Sequence, residues 1–116
     1  MARRGNAETR LMAEIAAAWS ERFHPEGVAW RINSGKARAM ENPRRLIDMA
    51  PAGWPDLVCL LRGQMIGLEV KTASGAPESS QLEMARTWRT AGGVYLFVTS
   101  PEDAIAQTEA ATRESV

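Results

Sequence analysis

Cysteine occurs once in the 116 residues, at Cys59, and histidine once, at His24. A lone cysteine excludes an internal disulfide and fits a reducing, cytosolic setting. No Cys/His set has metal-ligand spacing, and neither a phosphate loop nor a nucleophile elbow occurs. No apolar run approaches the roughly 18–20 residues of a membrane span. No apolar stretch of signal-peptide type follows Met1-Ala2-Arg3-Arg4. Neither a membrane partner nor an organic cofactor is therefore expected. Net charge is lacking too: 14 Lys/Arg balance 14 Asp/Glu, which by itself argues against a strongly basic nucleic-acid binder.

What is present is an ordinary globular composition, 45% apolar and 24% charged, in a length that suits one domain over 1–116. The charge is unevenly spread. Residues 1–50 hold nine Lys/Arg against six Asp/Glu, and residues 51–116 hold five against eight. A basic N-terminal half is either a phosphate-binding face or a solvated surface.

The spacing of Leu11, Ile15, Ala18 and Trp19 predicts a first helix, capped by Asn6 and ending before Pro25. Val28 to Ile32 alternates as a half-buried strand does. Residues 33–52 show no period. They are interrupted by Gly35, Pro43 and Pro51, and read as a basic binding loop with a short helix around Arg44 to Met49. Asp56 to Leu61 is apolar on both faces, as a central strand is. The turn signal Arg62-Gly63-Gln64 then folds it onto an antiparallel partner, Met65 to Thr72. Glu78 to Ala91 predicts a helix with Ser79 or Ser80 near its cap, ended by Gly92-Gly93. Val94 to Val98 is a dense apolar strand, and Ser100-Pro101 opens a last helix with a serine cap. The expected class is α/β, in the order αβββαβα, with a central mixed sheet flanked by helices.

The chemistry concentrates in Gly53-Trp54-Pro55-Asp56 and, twelve residues on, Glu69-Val70-Lys71. Strand side chains two apart share a face, roughly 6.6 Å apart. Glu69 and Lys71 therefore project together with Met65 and Gly67, while Ile66, Leu68 and Val70 enter the core. Gly67 leaves space beside Glu69. Folding the hairpin near Gly63 brings Asp56 beside both Glu69 and Lys71. Mg²⁺ or Mn²⁺ prefers such oxygen ligands and keeps waters alongside them, with the Val70 carbonyl as a third oxygen. Lys71 is then placed to orient or deprotonate a water, or to stabilise charge on a phosphate. The alternative is a surface ion pair, Glu69–Lys71, with Asp56 as a turn acid. Glu-x-Lys alone does not decide between them.

The surrounding pattern resembles the Asp…Glu-x-Lys nuclease superfamily with its restriction-endonuclease-like core, and within it the virus-type replication-repair nuclease domain. Gly53-Trp54-Pro55-Asp56-Leu57 is similar to that family's Gly-x-Pro-Asp signature, and Gly67 to Thr72 to its hydrophobic-Glu-x-Lys strand. Ser80-Gln81 and Ala91-Gly92-Gly93-Val94 match the next helix and its passage to a strand, in order, over about residues 7–105. The resemblance implies Asp56 and Glu69 as metal ligands, Lys71 as the catalytic lysine, Gln81 in support, and Glu14 reaching the metal from the first helix. It also implies a DNA endonuclease acting as a homodimer on branched DNA such as a Holliday junction, in a phage or bacterial setting. A restriction-like or exonucleolytic enzyme on the same scaffold, or a catalytically silent nucleic-acid-binding module, are the competing readings.

Read from the residues alone, Glu14 lies beside the apolar stripe and points either inward or to a solvated edge. Gln81 shares a face with Ala85 and Trp88, and either supports a cleft or bonds backbone at its own helix end. Arg31, Asn33, Ser34 and Lys36 cluster after the first strand and, with Arg38, Arg44 and Arg45, are candidate phosphate contacts; capping and turn roles are the alternative. Trp54 adjoins Asp56 and is expected to line the cleft. Trp19 on the first helix and the sheet edges are candidate dimer contacts.

Overall fold

The computed structural model describes residues 3–32, 36–38, 46–48, 51–72 and 75–112, with the side chains of all except 3–6, 36–38 and 46–48. The elements run α1 (Arg3–Phe23), β1 (Gly27–Arg31), β2 (Lys36–Arg38), β3 (Leu46–Asp48), β4 (Leu57–Leu61), β5 (Gln64–Val70), α2 (Ser79–Thr90), β6 (Val94–Val98) and α3 (Pro101–Thr112). Four strands make one mixed sheet in the order β1-β4-β5-β6, antiparallel except where β6 joins β5 in parallel. Apart from β2 and β3, the predicted order αβββαβα holds.

The β4–β5 turn sets the register. Arg62 (φ 49°) and Gly63 (φ 86°) both occupy the left-handed region, as a two-residue hairpin turn of the inverse type needs. Leu57 thereby pairs with Leu68 and Cys59 with Ile66, and one further step sets Asp56 across from Glu69. Alternation then sorts the faces. Leu57, Cys59, Leu61, Ile66 and Leu68 join Ile15, Trp19 and Phe23 of α1 and Ala104 of α3 in one core. On the opposite face Val58 and Tyr95 pack under Ala85 and Trp88 of α2. Helices thus cover both faces of the sheet.

Four local expectations are corrected. Within the helix expected around Arg44 to Met49, the described residues Leu46–Asp48 form a strand that pairs with β2 and sets Ile47 opposite Ala37; a β-branched residue beside leucine favours extended backbone. Asn6 lies within α1, which starts at Arg3, so it is not the residue that opens the helix. Glu78, in extended geometry at φ −84° and ψ 161°, precedes α2 in place of a serine. Trp19, expected as a dimer contact, is wholly buried against α3. The serine cap of α3 is as predicted: Ser100 Oγ accepts the Asp103 N–H at 3.0 Å.

Among the expected phosphate contacts, Asn33, Ser34, Arg44 and Arg45 lie outside the described residues, and Lys36 and Arg38 are described only as β2 backbone. Among the described residues no helix is long and apolar enough to cross a membrane.

The Trp19 indole donates to Thr108 Oγ1 at 2.9 Å with both residues fully buried, which ties α1 to α3 across the core. Thr108→Val keeps the shape and strands the indole N–H, so urea denaturation should find the variant about 1–3 kcal/mol less stable.

Candidate active site

The loop before β4 is held at three points. Gly53 has φ +89°, and a Cβ there would stand 2.4 Å from the Ser80 carbonyl oxygen in the first turn of α2. Only glycine fits both the conformation and the approach. The Tyr95 hydroxyl donates to the Gly53 carbonyl at 2.7 Å. Pro55, fully buried, lies over Gly67, where a Cβ would come within 2.6 Å of Pro55 Cγ and 3.0 Å of the Trp88 ring. The room that Gly67 leaves is therefore filled by Pro55 and Trp88, not kept open beside Glu69. Two backbone-anchored contacts finish the placement. The Ile32 N–H donates to the Asp56 carbonyl at 2.9 Å, and the Val70 N–H donates to Asp56 Oδ2 at 2.9 Å.

That second contact lodges one Asp56 carboxylate oxygen between Glu69 and Lys71. Glu69 is only 6% exposed. Its Oε2 accepts from Gln81 Nε2 at 2.6 Å, and its Oε1 is buried with no hydrogen-bond partner among the described residues. The other end of the Gln81 amide accepts the Glu78 N–H at 2.9 Å. Gln81 thus does both things the sequence allowed, bonding backbone at its helix end while steadying Glu69. The Lys71 N–H donates to the Val98 carbonyl at 2.8 Å, which fastens the end of β5 to β6.

Burial and charge act together here. Burial, then the neighbouring Asp56 charge, push Glu69 up to about 8 from its ordinary 4.5, against the pull of Lys71 and of the nearby Asp56 backbone N–H. Burial also raises Asp56; the Val70 N–H, Lys71 and Arg31 offset part of this, and Glu8 adds to it. Lys71 and Arg31 thus only partly offset burial and mutual repulsion in this carboxylate pair, which a further positive partner would relieve. The donors are all oxygen, the preference of Mg²⁺ and Mn²⁺, so the residues present fit such an ion.

Other candidates lie elsewhere. Glu14 is exposed, and the α1 acid whose charge reaches Asp56 is the half-buried Glu8. The signal was available: Glu8 falls on the Leu11–Ile15–Trp19 stripe at helical spacing and Glu14 does not. Among the described residues no three His, Cys, Asp or Glu gather as a metal set. Arg31, at the exposed end of β1, acts on Asp56 electrostatically. Val70 points its side chain into the core beneath α1. Trp54 meets Trp88 edge-on at 5.3 Å and lines a groove by the β4–β5 turn whose lining includes neither carboxylate. Cys59 is buried, and burial pushes its thiol up to about 12, which leaves it inert.

The chain has the restriction-endonuclease-like fold of a VRR_NUC domain. A solved structure described by that name superposes with a TM-score of 0.57 at 24% identity, covering 92% of this chain and 97% of that one. No family model matches the chain, and no curated protein matches it.

The carboxylate pair gives a pH signature in metal-free protein. A folded pKa raised above the unfolded value means that the native state holds a proton the unfolded chain releases between about pH 4.5 and 8. Stability is then greatest at the acid end and falls as pH rises through that window. Thermal melts in chelator should show this fall, and Glu69→Gln should flatten it and raise the midpoint near about pH 8. Equal slopes in parent and variant would contradict the assignment.

Proposed function

We propose that the chain is a metal-dependent nuclease that hydrolyses DNA phosphodiesters at Asp56, Glu69 and Lys71. The observation that carries this reading is the buried Glu69 Oε1, unpartnered among the described residues, across the hairpin from Asp56, with the Lys71 charge acting on both acids from the end of β5. The likeness in fold to a structure named for a nuclease domain supports it. Asp56 and Glu69 would hold Mg²⁺ or Mn²⁺, with the Val70 carbonyl as a third oxygen. When bound, the ion supplies charge stabilisation at the phosphate and an acidified water. Asp56 is kept in register by the Val70 N–H, and Gln81 holds Glu69 to one rotamer. Lys71 orients or deprotonates the attacking water, or stabilises charge on the phosphate. Arg31 and the basic residues that follow it (Lys36, Arg38, Arg44 and Arg45, with Asn33 and Ser34) would bind backbone phosphates.

We take the substrate to be branched DNA, a four-way junction in particular, and the working form to be a homodimer in a bacterial or phage-infected cytosol. Resolving a junction takes two cuts on symmetry-related strands, which a two-fold dimer supplies. The edge strand β1 supports the dimer. It exposes Val28 (51%) and Trp30 (44%), with Leu60 opposite Val28 on β4 also exposed, an apolar strip suited to a second copy.

The test is cleavage of plasmid, linear duplex and four-way junction with Mg²⁺, Mn²⁺ or chelator, alongside sedimentation of the parent. Cleavage should need the metal, favour the junction and come from a dimer. Asp56→Ala, Glu69→Ala and Lys71→Ala should each remove about 100-fold or more of the rate while staying folded. Folded variants that cut as fast as the parent would overturn the site. A monomer cutting all substrates equally would leave a restriction-like or exonucleolytic enzyme, and binding with no cutting would leave a silent module.

A further inference from the structure

The groove by the β4–β5 turn lies on the same face of the sheet as Glu69. It is a groove of about 530 Å³ between the β4–β5 turn and the end of α2, within the roughly 300–1,000 Å³ of small-molecule sites. Trp54 and Trp88 form its aromatic side, meeting at 82°. Met65, 45% exposed, lines it together with Arg62 and Gln64. Met65, Gly67 and Glu69 alternate onto one face of β5, so the groove and the carboxylates flank the wall made by Pro55 and Trp88 over Gly67. Along the strand, Met65 and Glu69 are about 13 Å apart, the span of about four stacked nucleotides.

We propose that this groove receives one unstacked base of the nucleic acid whose backbone runs to Asp56 and Glu69. The proposal rests on the nuclease reading and names the feature of the substrate that the site selects: an unpaired nucleotide near the cut. The partly exposed Trp54 indole, backed by the buried Trp88, and the Met65 thioether can stack on any base, and a base within a duplex has no free face to offer them. The side-chain amide of Gln64 can bond a base edge. The Arg62 guanidinium suits the adjoining phosphate. It is bonded to Glu26 at 2.9 Å, with both side chains largely exposed. Such an exposed pair is weak enough to exchange its carboxylate for a phosphate. A purely aliphatic ligand would leave both polar groups unused.

The probe is an oligonucleotide carrying 2-aminopurine, single-stranded or annealed as a blunt duplex, titrated in chelator so that nothing is cut. Binding should quench the 2-aminopurine of the single strand. Trp54→Ala should weaken single-strand binding about tenfold relative to duplex, while Trp54→Phe should retain most of it. Because Trp54 packs on Trp88, a second variant guards against misfolding. Ala91, exposed at the groove's edge, enlarged as Ala91→Phe should fill the space and cause a similar relative loss. If Trp54→Ala and Ala91→Phe, both folded, leave the ratio of single-strand to duplex affinity unchanged, the groove does not hold a base. Parent protein that cuts DNA while the ratio stays fixed refutes the groove alone. Parent protein that cuts nothing while the ratio shifts refutes the nuclease reading and keeps the groove.

Discussion

The Pro55 ring seated on Gly67 is the contact on which the site depends. A side chain at position 67 would collide with that ring and with Trp88, so the approach exists only because β5 carries glycine there. With the ring in place, the chain enters β4 at a fixed height, and the Asp56 carboxylate meets the Val70 N–H. Trp88 closes over the same point and brings α2 down on the sheet, which carries Gln81 to Glu69. Gly53 and Tyr95 secure the far end of the loop. The Gly-x-Pro-Asp stretch is thus a device for placing one carboxylate: glycine for close approach, proline for a rigid buried wedge, aspartate at the end.

The geometry concentrates unfavourable electrostatics in a small volume. Two carboxylates share a half-buried site, and Lys71 and Arg31 offset them only in part. Fold stability alone does not call for such a pair, since like charges removed from water oppose folding. Gln81 satisfies one Glu69 oxygen, and no described residue bonds the other. On the proposed reading, a cation with oxygen preference would turn the same arrangement from a strain into a binding site. This gives a physical reason for keeping both acids where an apolar residue would pack better.

Much of this was legible in the sequence because it depends on parity and turn chemistry. Arg62-Gly63 dictates the hairpin, the hairpin dictates that Asp56 faces Glu69, and alternation dictates which residues enter the core. What escaped were features set by packing between distant elements. Glu14 and Glu8 differ by less than two turns of helix, and only the docking of α1 through Ile15 and Trp19 shows which one turns toward Asp56. Trp54 is two residues from Asp56, yet it packs on Trp88 and so faces another groove. The strand at Leu46–Asp48 has no period of its own and forms by pairing with β2. The burial of Trp19 on Thr108 joins residues 89 positions apart, a distance that local pattern does not span.

The central claim is that Asp56 and Glu69 together form a divalent-cation site. The most direct measurement is an anomalous difference map from crystals soaked in Mn²⁺ at a concentration that supports cleavage. The account predicts a peak bounded by the Asp56 and Glu69 carboxylates that disappears in Glu69→Gln crystals soaked in the same way. A peak elsewhere, with none between those two side chains, would contradict it.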